Sequence, residues 1–431
     1  METSGHPDGR IITFYSYKGG TGRSMALANA AWLLALGGYR VLVIDWDVEA
    51  PGLHRYFRPF LDDPELGNSE GLIDFMVEFA DVASEQQDPP LGWYIPYANL
   101  LRYAVPINYD FPGDGVLDII PAGRQNADYA GRVNSFGWRD FYEKLSGWPV
   151  LDEARRRMRE EYDYILIDSR TGVSDTAGVC TVQMPDALVV CWTLNLQSVH
   201  GASSAAALVL EKRAKRNDPI MVYPVPMRVD DNEKIKTTRM LDYAKPYFVK
   251  LLPKDKFKTE KQKDVYWGEV TVPYIPFYAF EENLTYFRDD PNSTRSVLYA
   301  VRRMLWWVTG LDLTLPALDE TSKAAVTAAY DAISSTKQQI VVPVKTIRKP
   351  VLGASCAVNA PRRRRAASSL GLSFMPAPLV VSNTMDGNYE AAELPYPSTK
   401  SKRRSIECAF PPLQLTKALK RYSTVGSVAR S

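Results

Sequence analysis

Histidine and cysteine are scarce in this chain. Of 431 residues, three are histidine and four are cysteine. His6, His54 and His200 are too scattered for a three-histidine metal site, and no two share a helical i,i+4 face. Cys180, Cys191, Cys356 and Cys408 show no CxxC spacing, which argues against structural zinc and a disulfide scaffold and points to a reducing compartment. Long apolar runs are missing too. The longest helical one, 25–36, is interrupted by Asn29 and stops at Gly37-Gly38. It falls short of the roughly 18–20 residues that a membrane span requires. The first ten residues are polar and lead straight into a strand pattern, with no secretory signal visible. The expected location is cytoplasmic.

Net charge is nearly absent as well, at +2, but that figure averages two unlike segments. Residues 316–431 carry 17 Lys and Arg against 7 Asp and Glu, whereas residues 1–315 carry 35 against 43. All nine tryptophans lie at or before Trp307. A composition break near residue 315 therefore separates an acidic, Trp-containing part from a basic one.

What is present begins with IITFYSY (11–17), a buried-strand pattern. A glycine-rich turn follows, then SMALANAAWLLAL (24–36), rich in helix formers and stopped by two glycines. RVLVID (40–45) is a second apolar strand, completing a βαβ unit and implying a parallel sheet. Further strands are expected at 116–122, 162–168, 187–194, 220–225 and 272–278. Helices are expected at 71–83, 151–162, 201–216 and 295–309, the last pressing Leu298, Val301, Leu305 and Trp306 onto the sheet. Continuous apolar strands alternating with helices predict an α/β fold with a doubly wound, mostly parallel sheet. The expected domain covers 8–315, with 62–115 as an insertion on the ligand side of the sheet. Residues 316–431 read as a basic, low-complexity and mostly disordered tail, with a helix-like piece at 320–334, a β-prone run at 338–344, and the blocks RRRR (362–365) and KSKRR (400–404).

The most informative feature is YKGGTGRS, Tyr17 to Ser24, placed between a strand and a helix. Gly19, Gly20 and Gly22 let the backbone curl so that successive N–H groups face an anion at the helix N-terminus, and Thr21 completes the loop. Lys18 and Arg23 add positive charge, and the Ser24 hydroxyl suits a Mg²⁺ bridging β- and γ-phosphates.

Acidic strand ends reinforce this reading. Asp45 and Asp47 close the second strand and Asp168 closes YDYILID (162–168). Carboxyl ends of parallel strands line the crevice where ligands bind. Ser24, Asp45 and Asp168 are the candidate metal donors, and Asp47 is placed to orient an attacking water. The loops VEAPGL (48–53) and SRTGVSD (169–175) have the look of switch segments, with Arg170, Thr171 and Asp175 as γ-phosphate sensors. Thr193 to Gln197 and Pro276 to Phe280 follow strands where a base would be contacted.

Lys18-Gly-Gly-Thr-Gly-Arg23-Ser24 resembles the deviant Walker A motif, KGGxGK[ST], of the ParA/MinD ATPases (the CobQ/CobB/MinD/ParA nucleotide-binding domain). Ile44-Asp45-Trp46-Asp47 resembles that family's IDxD strand end, and Ile165 to Ser169 its strand ending in a switch Asp. The resemblance covers about 10–310. It implies a P-loop NTPase fold, ATP and Mg²⁺ as cofactors, slow hydrolysis to ADP and phosphate, and nucleotide-dependent homodimers. It also implies that Lys18 reaches the partner subunit's phosphates, that Ser24 binds Mg²⁺, and that Asp47 supports the attacking water. The departure is Arg23, where the family has lysine: the charge is kept, but a planar fork replaces a compact ammonium. ATP binding is therefore more secure than hydrolysis, and the chain looks like a KGGxGR variant.

Three functions fit these residues: a dimerising ATP switch that regulates or positions a protein partner, a bacterial-type tyrosine kinase, and a non-hydrolysing scaffold or DNA-partition module. The tail's tyrosines, Tyr330, Tyr389, Tyr396 and Tyr422, form no terminal cluster of the kind the kinase would use. The acidic first 315 residues give no support to a DNA-binding core, while the basic tail suits weak contact with nucleic acid or an anionic surface. A GxGxxG loop and an NKxD element are both missing, which argues against a dehydrogenase and a typical GTPase.

Overall fold

In the computed structural model, residues 9–172 and 178–338 are described. Strand β1 (Arg10–Ser16) runs into the glycine loop and helix α1 (Arg23–Leu36), and β2 (Arg40–Asp45) follows. Every residue of α1 from Met25 to Leu36 is buried, so this helix is apolar all round and lies within the core. Its one polar interior side chain is satisfied: Asn29 Nδ2 donates to the Met25 carbonyl, and Asn29 Oδ1 accepts from Thr285 N and Oγ1.

After β2, a 3₁₀ turn (Leu53–Phe60) leads to α2 (Leu72–Ser84), β3 (Val105–Pro106) and β4 (Val116–Ile120). Helices α3 (Tyr129–Ser135), α4 (Trp138–Glu143) and α5 (Gly147–Glu161) precede β5 (Tyr164–Asp168). Then come β6 (Ala187–Trp192), α6 (Leu196–Lys215), β7 (Met221–Pro226), α7 (Lys234–Val249), α8 (Glu260–Val270), the short α9 (Phe277–Phe280), α10 (Val297–Thr309) and α11 (Glu320–Gln338).

The seven strands form one sheet in the order β3-β4-β2-β5-β1-β6-β7. All pairings are parallel except β3 with β4, where two residues add an antiparallel edge. Alternation along the strands divides the core between the two faces of the sheet. Ile12, Phe14, Val41, Val43 and Leu166 join one cluster with α1 and α10; Ile11, Leu42, Ile44, Ile165 and Ile167 join the other with α2 and α5. This is the doubly wound α/β sheet that the sequence predicts. In the β1-α1-β2 unit, however, β5 lies between the two strands.

Two expectations are corrected. Residues 272–278 do not form a strand: only a bridge between Val229 and Pro273 is made, and Pro276 opens α9. Pro273 and Pro276 cannot donate to a ladder. On α10, Leu298, Val301 and Leu305 are buried as expected, together with Met304 and Trp307, and Trp306 is half-buried against the same core. No residue of 62–115 lines the cleft described below. That insertion begins α2 at the carboxyl end of β4, with Leu72 N donating to the Pro121 carbonyl, and it feeds both core clusters, Leu72 and Phe79 joining one and Ile107 and Phe111 the other.

The second correction is the boundary near 315. Helix α11 packs on the domain, with Tyr330 buried and its hydroxyl donating to the Tyr56 carbonyl at 2.6 Å. The folded unit therefore extends past 315. The basic blocks at 362–365 and 400–404, and the β-prone run apart from Gln338, lie outside the described residues, as do Ser174 and Asp175. Among the described residues no helix is long and apolar enough to cross a membrane.

Candidate functional site

β1 sits between β5 and β6, and its connection leaves to one side while that of β5 leaves to the other. A crevice opens at such a reversal, at the carboxyl ends of the strands. The glycine loop occupies it. Gly20 and Gly22 have φ of 71° and 90°, the left-handed region that L side chains rarely adopt. Gly22 stands at the N-cap of α1 with no side-chain hydrogen bond there, so the first N–H groups of a fully buried helix lack a side-chain acceptor. The loop borders a cleft of about 320 Å³. Gly19, Gly20, Thr21, Gly22, Arg23 and Ser24 all line it, whereas Lys18 does not. Lys18 is half-buried and makes no ion pair among the described residues.

Register brings the acidic strand ends together: Asp45 of β2 is the direct neighbour of Asp168 of β5. Asp45 is wholly turned into its own loop, accepting from the backbone N–H of Asp47, Gly52 and Leu53 at 3.1–3.2 Å. Burial, with Asp168 alongside, pushes its pKa up to about 8. Asp47 lines the cleft; Asp45 and Asp168 do not.

Arg23 does not extend along the loop. Its Nε donates to Asp168 Oδ1 and its Nη2 to Asp47 Oδ2, the latter at 3.0 Å. Ser24 Oγ donates to the second oxygen of Asp168 at 2.5 Å. Burial opposes charge on the guanidinium, but Asp168 and Asp47 hold its pKa above the ordinary arginine value. For Asp168, burial raises the pKa against the pull of Arg23 and Ser24. Two polar atoms in this knot have no hydrogen-bond partner among the described residues: Arg23 Nη1 and Thr21 Oγ1. Both residues line the cleft and are at least nine-tenths buried. Unsatisfied buried donors on a cleft wall suit an incoming oxygen-rich anion.

Arg170 pairs with Glu49, so the loops after β5 and β2 are tied to each other, and Arg170 does not line the cleft. Thr171 does line it. Asn195 caps α6, accepting from Ser198 N at 2.9 Å, and donates to Thr193, so that segment serves the helix end. The segment 276–280 reaches the cleft through Tyr278, Ala279 and Phe280, with Tyr274 beside them.

One cation was not anticipated from sequence. Arg228, two residues past β7, sits in the cleft wall with Nη1 donating to the Gly20 carbonyl at 2.8 Å and its guanidinium over the Tyr274 ring. The signal was available: an apolar strand, 221–226, breaks to arginine at its carboxyl end, the same position that drew attention to Asp45.

Hard oxygen donors for a divalent ion are present in Ser24, Asp47 and Asp168, but the oxygens of Asp168 are taken by Arg23 and Ser24. Among the described residues no group of three or more His, Cys, Asp or Glu side chains is placed to hold a metal ion. As it stands this donor set does not fit Mg²⁺, whose octahedral shell needs open oxygens.

The family described as "CobQ/CobB/MinD/ParA nucleotide binding domain" matches residues 12–264. Among curated proteins, "Putative replication protein A" of Sinorhizobium fredii is 26% identical over 168 residues, 37% of this chain and 33% of that protein, so the match spans about a third of the relative's length. Among solved structures, an ATP complex of Cyanothece McdA is 14% identical, covering 73% of this chain and all of that one, with a TM-score of 0.45. A plasmid partition protein from Borrelia burgdorferi bound to AMPPNP is 18% identical, covering 70% and 99%, at 0.43. MinD from Pyrococcus horikoshii with Mg-ADP is 16% identical, covering 68% and 95%, at 0.41.

Proposed function

Because the chain belongs to the CobQ/CobB/MinD/ParA nucleotide-binding domain family, we propose that it is an ATP-binding switch that dimerises with nucleotide and regulates or positions a protein partner. The observation that carries this reading is the uncapped N-terminus of α1. It opens into a cleft whose wall holds the unpartnered Thr21 Oγ1 and Arg23 Nη1. Backbone N–H groups of residues 19–24 would take the β- and γ-phosphates, with Arg228 as a second cation, while Tyr274 and Tyr278 wall the space for the base.

Lys18 lies outside the cleft lining and is free of ion pairs among the described residues. That suits the family role of reaching a partner subunit's phosphates. Asp47 lines the cleft and is the residue to orient an attacking water; the loops tied by Arg170 and Glu49 are the segments to respond to the γ-phosphate. A cytoplasmic location, slow turnover and weak surface contact through the basic tail complete the proposal.

A non-hydrolysing, nucleotide-bound scaffold is favoured by one observation. Arg23 holds Asp47, which is then not free to orient water. Three measurements separate the readings: ATP binding, phosphate release, and size in solution with Mg-ATP, Mg-ADP or neither. A switch binds ATP, enlarges to a dimer with it, and loses affinity in Lys18→Ala. Unchanged binding and size in that variant would refute the assigned role of the loop. Binding and dimerisation without phosphate release would select the scaffold.

A further inference from the structure

We propose that Arg23 is the built-in counter-cation of the Asp47–Asp168 pair, standing where a divalent ion would stand, so that this loop holds nucleotide phosphate without a metal ion. The inference rests on the reading that the cleft binds nucleotide.

The argument starts from charge. Asp168 and Arg23 side chains are 2% and 6% exposed and Asp47 is 12% exposed, so these charges sit where water screens them little. Buried carboxylates persist as charges only beside a cation that also satisfies their lone pairs. One guanidinium does this for two strand ends at once, giving Nε to Asp168 at the end of β5 and Nη2 to Asp47 just after β2. A divalent ion bound there would have to displace both contacts, because it needs the same oxygen lone pairs.

Residue type matters. A guanidinium presents separate N–H edges in a fixed plane and spans two carboxylates. An ammonium also carries three donors, but all on one nitrogen at the end of a flexible stem, so it does not span the two carboxylates as Nε and Nη2 do while a third nitrogen faces elsewhere. That third donor is Nη1, which is buried, unpartnered and carried by a residue of the cleft wall. Phosphate arriving at the loop therefore meets a cation whose carboxylate partners are already neutralised from behind. The metal's usual task of screening phosphate from those carboxylates has been taken over by the chain.

The test has two arms on the full-length protein. In the first, Mn²⁺ alone is titrated into nucleotide-free protein and followed by electron paramagnetic resonance. Wild type is expected to leave Mn²⁺ free, whereas Arg23→Lys, which keeps the charge but releases one carboxylate, gains a Mn²⁺ site. In the second arm, labelled ATP is bound with excess Mg²⁺ or with EDTA. Wild-type affinity is expected to change by less than about threefold, while Arg23→Lys weakens by about tenfold or more in EDTA. Mn²⁺ uptake by the wild type, or an equal loss of ATP affinity in EDTA for both proteins, would overturn the proposal. Thermal melting of both proteins confirms that the variant is folded. If ATP binds neither protein under any condition, the nucleotide reading has failed, and the Mn²⁺ arm still decides whether Arg23 excludes a metal.

Discussion

The ring of Tyr17 lies against the backbone of Gly201, so close that a Cβ on Gly201 would collide with Cγ, Cδ1 and Cε1 of the ring. Tyr17 opens the phosphate loop and Gly201 lies in the second turn of α6. The first residue of the loop is thereby keyed to the helix that follows β6. Gly201→Ala should cost about 1–3 kcal/mol by overpacking, read by urea denaturation. It should also weaken ATP binding by displacing the loop. Tyr17→Ala in the same chain should restore most of the stability, and failure of that rescue would show that the collision is not the cause.

Arg228 Nη1 is bonded to the Gly20 carbonyl, so it both braces the loop and carries charge into the cleft. Charge-assisted hydrogen bonds are worth about 1.5–3 kcal/mol. Arg228→Ala should therefore weaken ATP binding by roughly tenfold or more, measured by calorimetry. Because the bond to Gly20 is exposed, the melting temperature should hardly move. A lower melting temperature with unchanged affinity would assign Arg228 to the fold alone.

The loop 63–69 carries its own pH dependence. Burial is the largest single influence on the Asp63 carboxylate and pushes its pKa up, but N–H groups of Asn68, Ser69 and Gly67 and the Ser69 hydroxyl together hold it below the ordinary aspartate value. A carboxylate depressed in the folded state contributes its stability above the unfolded pKa and loses it as pH falls through the folded one. Protease cutting within 63–69 should accordingly rise as the solution is acidified below about pH 4. Asp63→Asn should cut readily at neutral pH and respond little to acid; an equal acid response in both proteins would place the titrating group elsewhere.

Tyr330 anchors α11, with its ring 6.5 Å from that of Phe60 and its hydroxyl on the Tyr56 carbonyl. Replacing a buried aromatic by alanine costs about 3–5 kcal/mol. Tyr330→Ala should show a loss of that order in denaturant unfolding, and truncation after 315 should cost at least as much. An unchanged midpoint in either would mean that α11 is not part of the folding unit.

Six of the seven strands are readable in the chain because each is a near-continuous apolar run, the mark of a strand buried on both faces. β3 escapes notice, since two residues including a proline carry no period. α7 is equally quiet, as it buries only Ala244 and Phe248 in sixteen residues. The false strand at 272–278 shows the opposite failure: apolar residues were there, but Pro273 and Pro276 removed the donors a ladder needs. In the site, the glycine loop and the acidic strand ends were legible from residue type and position. Their pairing was not, because Arg23 meets Asp47 and Asp168 only once register sets β2 beside β5. Lys18 and Arg23, equal as charges in the sequence, end in opposite situations.

Helix α11 rests on the turn 53–60, which begins eight residues after Asp45 and is reached directly from the loop that Asp45 pins through Gly52 and Leu53. The chain beyond residue 338 is joined covalently to that helix. The helix thus packs on the connection that leaves β2, the strand that ends at Asp45, and belongs to the same folded unit as the cleft.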